Sequence, residues 1–272
     1  MDFDFRQIAV PFRMQPGLSR LDASARQLTA LQTHVPLYAE KQAVLARGAS
    51  RLQVEGFDAT PALQAIAQRA AQDGADGPLR SGAPLELAFE EDLVVLDGDG
   101  GTLPWLCVCT PSHWAPEDKL GLPFAAVHAP VADNAVLLAA SRQLVALATG
   151  GERWERRVWT ISPSGRHDQH PRRQPRTPWP ETDDAEAFAR QCFLRSERQT
   201  FFPVGRGTRQ AVFTIRVRLQ RLEDAVAEPW QAQRLHDSLA SMSAEVAQYK
   251  SVASARPTLL RWLASRGARP SA

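Results

Sequence analysis

His128 is the histidine whose surroundings best suit metal chemistry. It lies in the apolar run FAAVHAPV, residues 124 to 131, where Pro130 restricts the backbone shortly after it. A neutral imidazole in apolar surroundings is a good nitrogen ligand for a metal ion. A single histidine on an apolar strand is more often a hydrogen-bonded core residue. The residues alone leave both interpretations open.

A second group of polar residues lies near the end of the chain's central third. Glu197 and Arg198 are adjacent in the run FLRSERQTF, which has a mixed strand pattern. A carboxylate can bind a cationic amine, and a guanidinium can bind a carboxylate through two hydrogen bonds. The alternative is a structural ion pair at a sheet edge. Trp114, in the turn Pro111 to Trp114, could form the wall of a pocket or serve as a core aromatic residue.

Other candidate sites are weaker. Cys107 and Cys109 share one side of a predicted strand, but no further ligands follow at metal-site spacing, so both are expected in the core. His167 and His170 lie in a proline- and arginine-rich segment, Ser162 to Pro180. That segment is predicted to be an exposed loop that is dispensable for folding.

Composition excludes several classes of protein. The 272 residues carry a formal net charge of only +2, so no nucleic-acid partner is expected. The start of the sequence lacks the apolar region of a signal peptide, and no apolar run is long enough for a membrane helix. Three cysteines cannot form a complete set of disulfides. A cytoplasmic protein with no membrane partner is the expectation.

Helical spacing and capping residues predict six helices. Thr60 and Pro61 form a typical helix start, and Gly74 a typical helix end. Asp133 is expected to cap a helix that ends before Gly150. The predicted helices cover residues 24–34, 37–47, 60–73, 134–149, 229–250 and 257–266.

Between these helices the pattern changes to that of strands. Two β-rich runs flank the sequence DGDGG, residues 97 to 101, which is a strong hairpin signal. Residues 153–161 and 193–201 are further strand candidates, and residues 211–219 alternate cleanly between two faces. Five or six strands, mostly joined by hairpins, predict an antiparallel α+β fold. We expect one domain over residues 1–272, with a sheet core at 84–219, a helical prefix at 1–83 and a helical suffix at 220–272.

Several short runs resemble one protein family when read in order. They are Glu91-Asp92-Leu93, the turn Pro111 to Trp114, Lys119-Leu120-Gly121, His128-Ala129-Pro130-Val131, Glu197-Arg198-Gln199-Thr200 and the strand Phe213 to Arg216. Together they are similar to the heme-dependent oxidative N-demethylase α-subunit family. The likeness extends from Pro11 to Leu219.

The resemblance implies a PAS-like antiparallel sheet that holds heme b, with His128 as the axial ligand. It implies oxidation of a small N-methylated amine with dioxygen and electrons from a separate flavin and iron–sulfur reductase. Glu197 would then be the catalytic or substrate-binding group, and Arg198 and Trp114 would contact the cofactor. One departure is Val158, where the family pattern has asparagine, since valine cannot make an amide's hydrogen bonds. A non-catalytic heme-binding PAS-like sensor or interaction protein is therefore the alternative.

Overall fold

The computed structural model describes residues 3–205 and 207–267, and the outermost parts of the predicted prefix and suffix lie outside these residues. The strands are β1 (Ser19–Arg20), β2 (Arg51–Gln53), β3 (Asp92–Asp97), β4 (Trp105–Cys107), β5 (Trp154–Ser162), β6 (Phe193–Pro203) and β7 (Gln210–Arg221). The helices are α1 (Pro36–Leu45), α2 (Thr60–Asp73), α3 (Gly77–Arg80), α4 (Leu85–Ala88), α5 (Phe124–His128), α6 (Ala135–Ala139), α7 (Ser141–Ala148), α8 (Ala185–Ala189), α9 (Leu222–Ala225), α10 (Pro229–Ala240), α11 (Ala244–Tyr249) and α12 (Arg256–Gly267).

The strands form one antiparallel sheet in the order β1-β5-β6-β7-β3-β4-β2. The long β6–β7 hairpin is its centre. This arrangement confirms the predicted α+β class and the hairpin between β3 and β4. Within the described residues, no helix is long and apolar enough to cross a membrane.

Because side chains alternate along a strand, the sheet has two distinct faces. One carries Arg156 on β5, Glu197 on β6 and Ile215 on β7, and we call it the glutamate face. The other carries Arg157, Arg198 and Arg216 on the same three strands, and we call it the arginine face.

The arginine face is covered at both ends by apolar packing. At one end, the C-terminal helices and the N-terminal residues Phe3 to Ile8 pack on Trp159 and Leu194. At the other end, α2 and the segment around Leu28 pack on strand residues of β3, β4, β6 and β7. The polar centre of this face lies between the two clusters.

The glutamate face is covered by shorter elements. Phe124 of α5 and Val145 of α7 pack on Leu96 and Phe201. Trp114 and Leu120 pack on a neighbouring patch formed by Val94, Leu106 and Val108. Side chains from helices and loops thus enclose this face around Glu197.

The prediction of a helix at residues 24–34 is wrong. That segment contains no helix, and Ala30 forms a β-bridge with Phe89. The buried Asp73 carboxylate accepts the backbone N–H groups of Gln27 and Leu28, each at 2.9 Å. These long-range partners satisfy the backbone of this segment in place of intrahelical hydrogen bonds.

Three further elements differ from the prediction. The run at His128, treated as a strand, is the short helix α5, which starts after Pro123. The single helix expected after Asp133 is divided into α6 and α7, and the N-cap residue of α6 is Asn134 rather than Asp133. The long helix expected at 229–250 is also divided, because Ser243 caps a new helix by accepting the N–H of Val246.

The predicted division into a helical prefix and a sheet core also differs from the structure. Two strands of the prefix, β1 and β2, join the sheet at its opposite edges. The prefix is therefore part of the sheet as well as a helical layer over it.

The prediction of an exposed loop at 162–180 is wrong for most of residues 162–170, although Pro171, Arg172 and residues 175–178 are exposed. Ser162, Ser164, Asp168, Gln169 and His170 are all buried. The reason is polar rather than apolar: buried ion pairs and hydrogen bonds hold the segment against the sheet, and composition does not reveal them.

Candidate functional site

His128 occupies the last position of α5, at the glutamate face. Its ring nitrogen Nδ1 lies 2.8 Å from the Phe124 carbonyl oxygen, one helical turn earlier. Since a carbonyl can only accept, Nδ1 carries the proton and the Nε2 lone pair is available to a ligand. Burial lowers the pKa of His128, and the positive charges of Arg156 and Lys119 act in the same direction. A neutral imidazole with an available Nε2 is the form that binds a metal ion.

Glu197 lies at the centre of the same face and is held through both carboxylate oxygens. The Ser112 hydroxyl donates a short hydrogen bond to one oxygen, and Gln199 Nε2 donates to the other at 2.7 Å. Val158 is directly opposite Glu197 on β5. A side chain without any hydrogen-bonding group thus adjoins the carboxylate.

Arg195 connects this centre to the segment 162–180. Its guanidinium, on a side chain only 1% exposed, donates to Ser112 Oγ at 2.9 Å. It also donates to the carbonyl oxygens of Arg166 and His167 at 3.1 and 3.0 Å. Arg195 therefore fixes both the turn that carries Ser112 and the start of the segment.

Arg156 supplies a positive charge on the glutamate face. Burial lowers the pKa of Arg156, an effect that the negative charge of Glu197 opposes. Among the described residues, its Nε is buried and has no hydrogen-bond partner. The side chain thus offers an unused N–H group and a charge beside His128 and Glu197.

The end of α11 brings Tyr249 and Lys250 to the same edge. Lys250 Nζ donates to the Trp159 carbonyl oxygen at 2.6 Å. Burial lowers the pKa of Lys250 to about 8, while Glu197 raises it. Burial and the charge of Glu197 raise the pKa of Tyr249. The helical suffix therefore takes part in the electrostatics of the site.

Arg198 points to the opposite side of the sheet from Glu197. Its Nε donates to Glu155 at 3.0 Å, and Nη1 donates to the Arg26 carbonyl oxygen at 2.7 Å. Adjacent residues on a strand face opposite sides, so the side chains of Glu197 and Arg198 do not pair with each other.

The two aromatic residues of the Pro111 to Trp114 turn differ in setting. Trp114 is partly buried and packs on the glutamate face. His113 has the left-handed φ of 61°. The residue as a whole is exposed. Desolvation of its ring, the larger cause, and the positive charges of Arg176 and Arg195, the smaller causes, lower the pKa of His113 to about 4.

Of the four predicted site residues, the structure brings His128, Glu197 and Trp114 to one face and Arg198 to the other. Sequence reasoning missed Arg156, Ser112, Gln199 and Arg195. Arg156 and Gln199 could have been found from register, because they are directly paired on β5 and β6 and lie two positions from Val158 and Glu197 respectively. Ser112 and Arg195 depend on a long-range contact that strand alternation does not reveal.

Comparison with protein-family models identifies the chain. Residues 69–260, more than half of its length, match the model described as haem-dependent oxidative N-demethylase, alpha subunit-like. The chain belongs to this family. The match includes α5, β5, β6, β7 and all the residues of the glutamate face described above. No curated protein matches the chain.

The family name indicates dependence on heme, and two observations on the glutamate face fit that group. The first is the available Nε2 of His128, since a neutral histidine is a common axial ligand of heme iron. The second is the unpartnered Nε of Arg156, because a buried guanidinium is well suited to a heme propionate.

Proposed function

We propose that this chain is a heme-binding subunit of an oxidative N-demethylase-like monooxygenase. Heme b would bind at the glutamate face of a PAS-like sheet, with His128 as its axial ligand. The observation that carries the proposal is the hydrogen bond from His128 Nδ1 to the Phe124 carbonyl oxygen, which orients the ring and leaves Nε2 for the metal. When bound, the heme would supply dioxygen binding and electron transfer.

Arg156 replaces Arg198 in this proposal as the residue that pairs with a propionate. Arg198 is held on the other face by Glu155, whereas Arg156 shares the face of His128 and has a buried N–H to donate. Trp114 would form part of the apolar wall.

Glu197 would bind the substrate, a small N-methylated amine. An ammonium group loses much of its hydration on entering a buried site and needs a negative partner there. Ser112 and Gln199 hold the carboxylate in one position, so it is oriented before the amine arrives. Electrons would come from a separate flavin and iron–sulfur reductase.

A heme-binding sensor is the second candidate, and Val158 is the observation that favours it. Val158 lies directly opposite Glu197, where an asparagine amide could hydrogen-bond a carboxylate or a substrate. A hydrophobic neighbour weakens polar contacts at this point without affecting His128.

Spectroscopy of the purified protein tests heme binding. We expect the wild-type chain, supplied with heme, to show a Soret band that His128→Ala abolishes or shifts. His113→Ala and His236→Ala should leave the band unchanged. If His128→Ala retains the wild-type spectrum and His113→Ala loses it, the ligand is His113.

Formaldehyde release separates the two candidate functions. With a competent electron donor and a panel of N-methylamines, the enzyme should release formaldehyde. Glu197→Gln should weaken amine binding more than heme binding. A protein that holds heme and releases no formaldehyde with any amine is a sensor. If Val158→Asn releases formaldehyde and the wild-type chain does not, the loss of activity is due to the valine at this position.

A further inference from the structure

Three arginines form a straight row across the centre of the arginine face. Arg157 on β5 is directly opposite Arg198 on β6, and Arg198 is directly opposite Arg216 on β7. Like charges in directly opposed positions of an antiparallel sheet destabilise it. A fourth arginine, Arg218, follows on β7 and bonds to Glu90 at 3.2 Å.

Among the described residues, the nearby carboxylates only partly balance the charge of Arg157, Arg198 and Arg216. Arg198 bonds to Glu155 at 3.0 Å, and Arg157 reaches the same oxygen only at 3.9 Å. Arg216 bonds to Glu90 at 2.7 Å, so Glu90 is shared between two arginines.

Two other acidic groups add little negative charge. Glu91 lies 3.7 Å from Arg216, and burial raises the pKa of Glu91 to about 7, so it is only partly ionised at neutral pH. Asp4, the other acidic group near Arg157, pairs with Arg6 at 2.9 Å. The row therefore keeps an excess of positive charge.

A cavity opens at this row. It has a volume of about 160 Å³, and its walls are formed by the four arginines together with Phe3, Ser196 and Glu197. The carboxylate of Glu197 is itself bound by Ser112 and Gln199 on the glutamate face. Among the described residues, the Nε of Arg157 is buried without a hydrogen-bond partner, and Ser196 in the cavity wall is 8% exposed. An unused donor, a hydroxyl group and excess positive charge thus surround one small space.

We infer that this cavity is a binding site for a small oxyanion of the phosphate class, separate from the glutamate face. Guanidinium groups bind phosphate through pairs of parallel hydrogen bonds. A dianion with several acceptor oxygens could use the Nε of Arg157 and the Ser196 hydroxyl at once. It would also offset the repulsion within the arginine row.

Calorimetric titration of the full chain with inorganic phosphate, in a phosphate-free buffer at neutral pH, tests the inference. We expect saturable binding at one site per chain. Arg157→Gln should weaken it by at least tenfold, and Ser196→Ala by a smaller factor. Arg209→Gln is the matched control because Arg209 is 60% exposed and its ion pair with Asp99 is an exposed contact, so phosphate binding should not change. Circular dichroism and melting temperature verify that each variant is folded.

Four results would overturn the inference. These are absence of saturable binding, equal effects of Arg157→Gln and Arg209→Gln, complete loss of binding at physiological ionic strength, and tighter binding of acetate or succinate than of phosphate. The last result would assign the cavity to carboxylates.

If Arg157→Gln does not fold, Arg157→Lys replaces it, because it keeps the charge and removes the paired geometry. We then expect a weakened but measurable affinity, and unchanged affinity would be a fifth contrary result. None of these measurements depends on heme.

Discussion

The buried pair Asp168–Arg173 should be one of the main stabilising contacts of the segment 162–180. The two side chains are 3% and 7% exposed, and Arg173 Nη2 lies 3.0 Å from Asp168 Oδ1. The carboxylate also accepts the backbone N–H of His170 at 3.0 Å. Asp168→Ala would leave the guanidinium buried without its countercharge.

Breaking a buried pair by removing one partner costs about 3–5 kcal/mol of the free energy of unfolding. For a domain of this size that corresponds to a fall in melting temperature of about 6–20 °C. Urea denaturation followed by circular dichroism measures the change directly.

Asp118→Ala is the matched control, because Asp118 pairs with Arg172 of the same segment but the two side chains are 61% and 55% exposed. Exposed pairs contribute about 0–1 kcal/mol. The double variant Asp168→Ala/Arg173→Met should recover part of the loss, since it removes the unpaired charge. Equal, small effects of Asp168→Ala and Asp118→Ala would refute the reasoning and restore the view that the segment is dispensable.

Two further predictions concern the stability of the sheet. Burial raises the pKa of Glu91 to about 7, so the folded state retains a proton that the unfolded chain loses above its ordinary pKa. The free energy of unfolding should therefore fall as pH rises from about 4.5 to 7, by up to about 3 kcal/mol, and Glu91→Gln should flatten that slope in denaturation curves at several pH values. A Cβ at Gly98 would lie 2.5 Å from the Arg209 carbonyl oxygen and 2.6 Å from Thr149 Oγ1. Gly98→Ala should cost about 1–3 kcal/mol, whereas Gly77→Ala, with nothing within 4 Å, should leave the melting temperature nearly unchanged; equal melting temperatures for the two variants would contradict this.

The elements that sequence predicts well are those whose signals are local. The α2 helix begins at Thr60 and is followed by Gly74 in the left-handed conformation, as Pro61 and Gly74 indicate, although its N-cap residue is Ala59 and not Thr60. The β3–β4 hairpin follows from the glycine- and aspartate-rich turn. Local residue types are enough to predict such elements because the backbone conformation at the turn or at the helix end determines where the element stops.

Elements fixed by distant partners were predicted poorly. Residues 24–34 have helical spacing, but the buried carboxylate of Asp73 binds their backbone. The segment 162–180 has the composition of an exposed loop, but Arg195 binds the carbonyl oxygens of Arg166 and His167. Neither Asp73 nor Arg195 is near in sequence to the backbone that it binds, so composition and periodicity carry no signal of these contacts.

The candidate site was predictable in part. The choice of His128 rested on an apolar run and a family resemblance, and the structure adds a hydrogen bond that no sequence pattern shows. Treating Glu197 and Arg198 as one polar pair ignored strand alternation, which alone places them on opposite faces. The same rule would have selected Arg156 and Gln199.

The contact of Lys250 with β5 has a consequence for how the molecule avoids self-association. Strand β5 spans Trp154–Ser162, but β1 pairs with it only at Trp154 and Glu155. Beyond these residues its outer edge is met by the turn after α11, where Lys250 donates to Trp159 and the Thr160 hydroxyl donates to the Lys250 carbonyl oxygen. An unprotected strand edge recruits strands from other molecules, and a lysine placed against it is a common safeguard. The C-terminal helices thus cover a strand edge that would otherwise pair with strands of other molecules. A chain cut before Pro229 should aggregate through β5, which light scattering would detect.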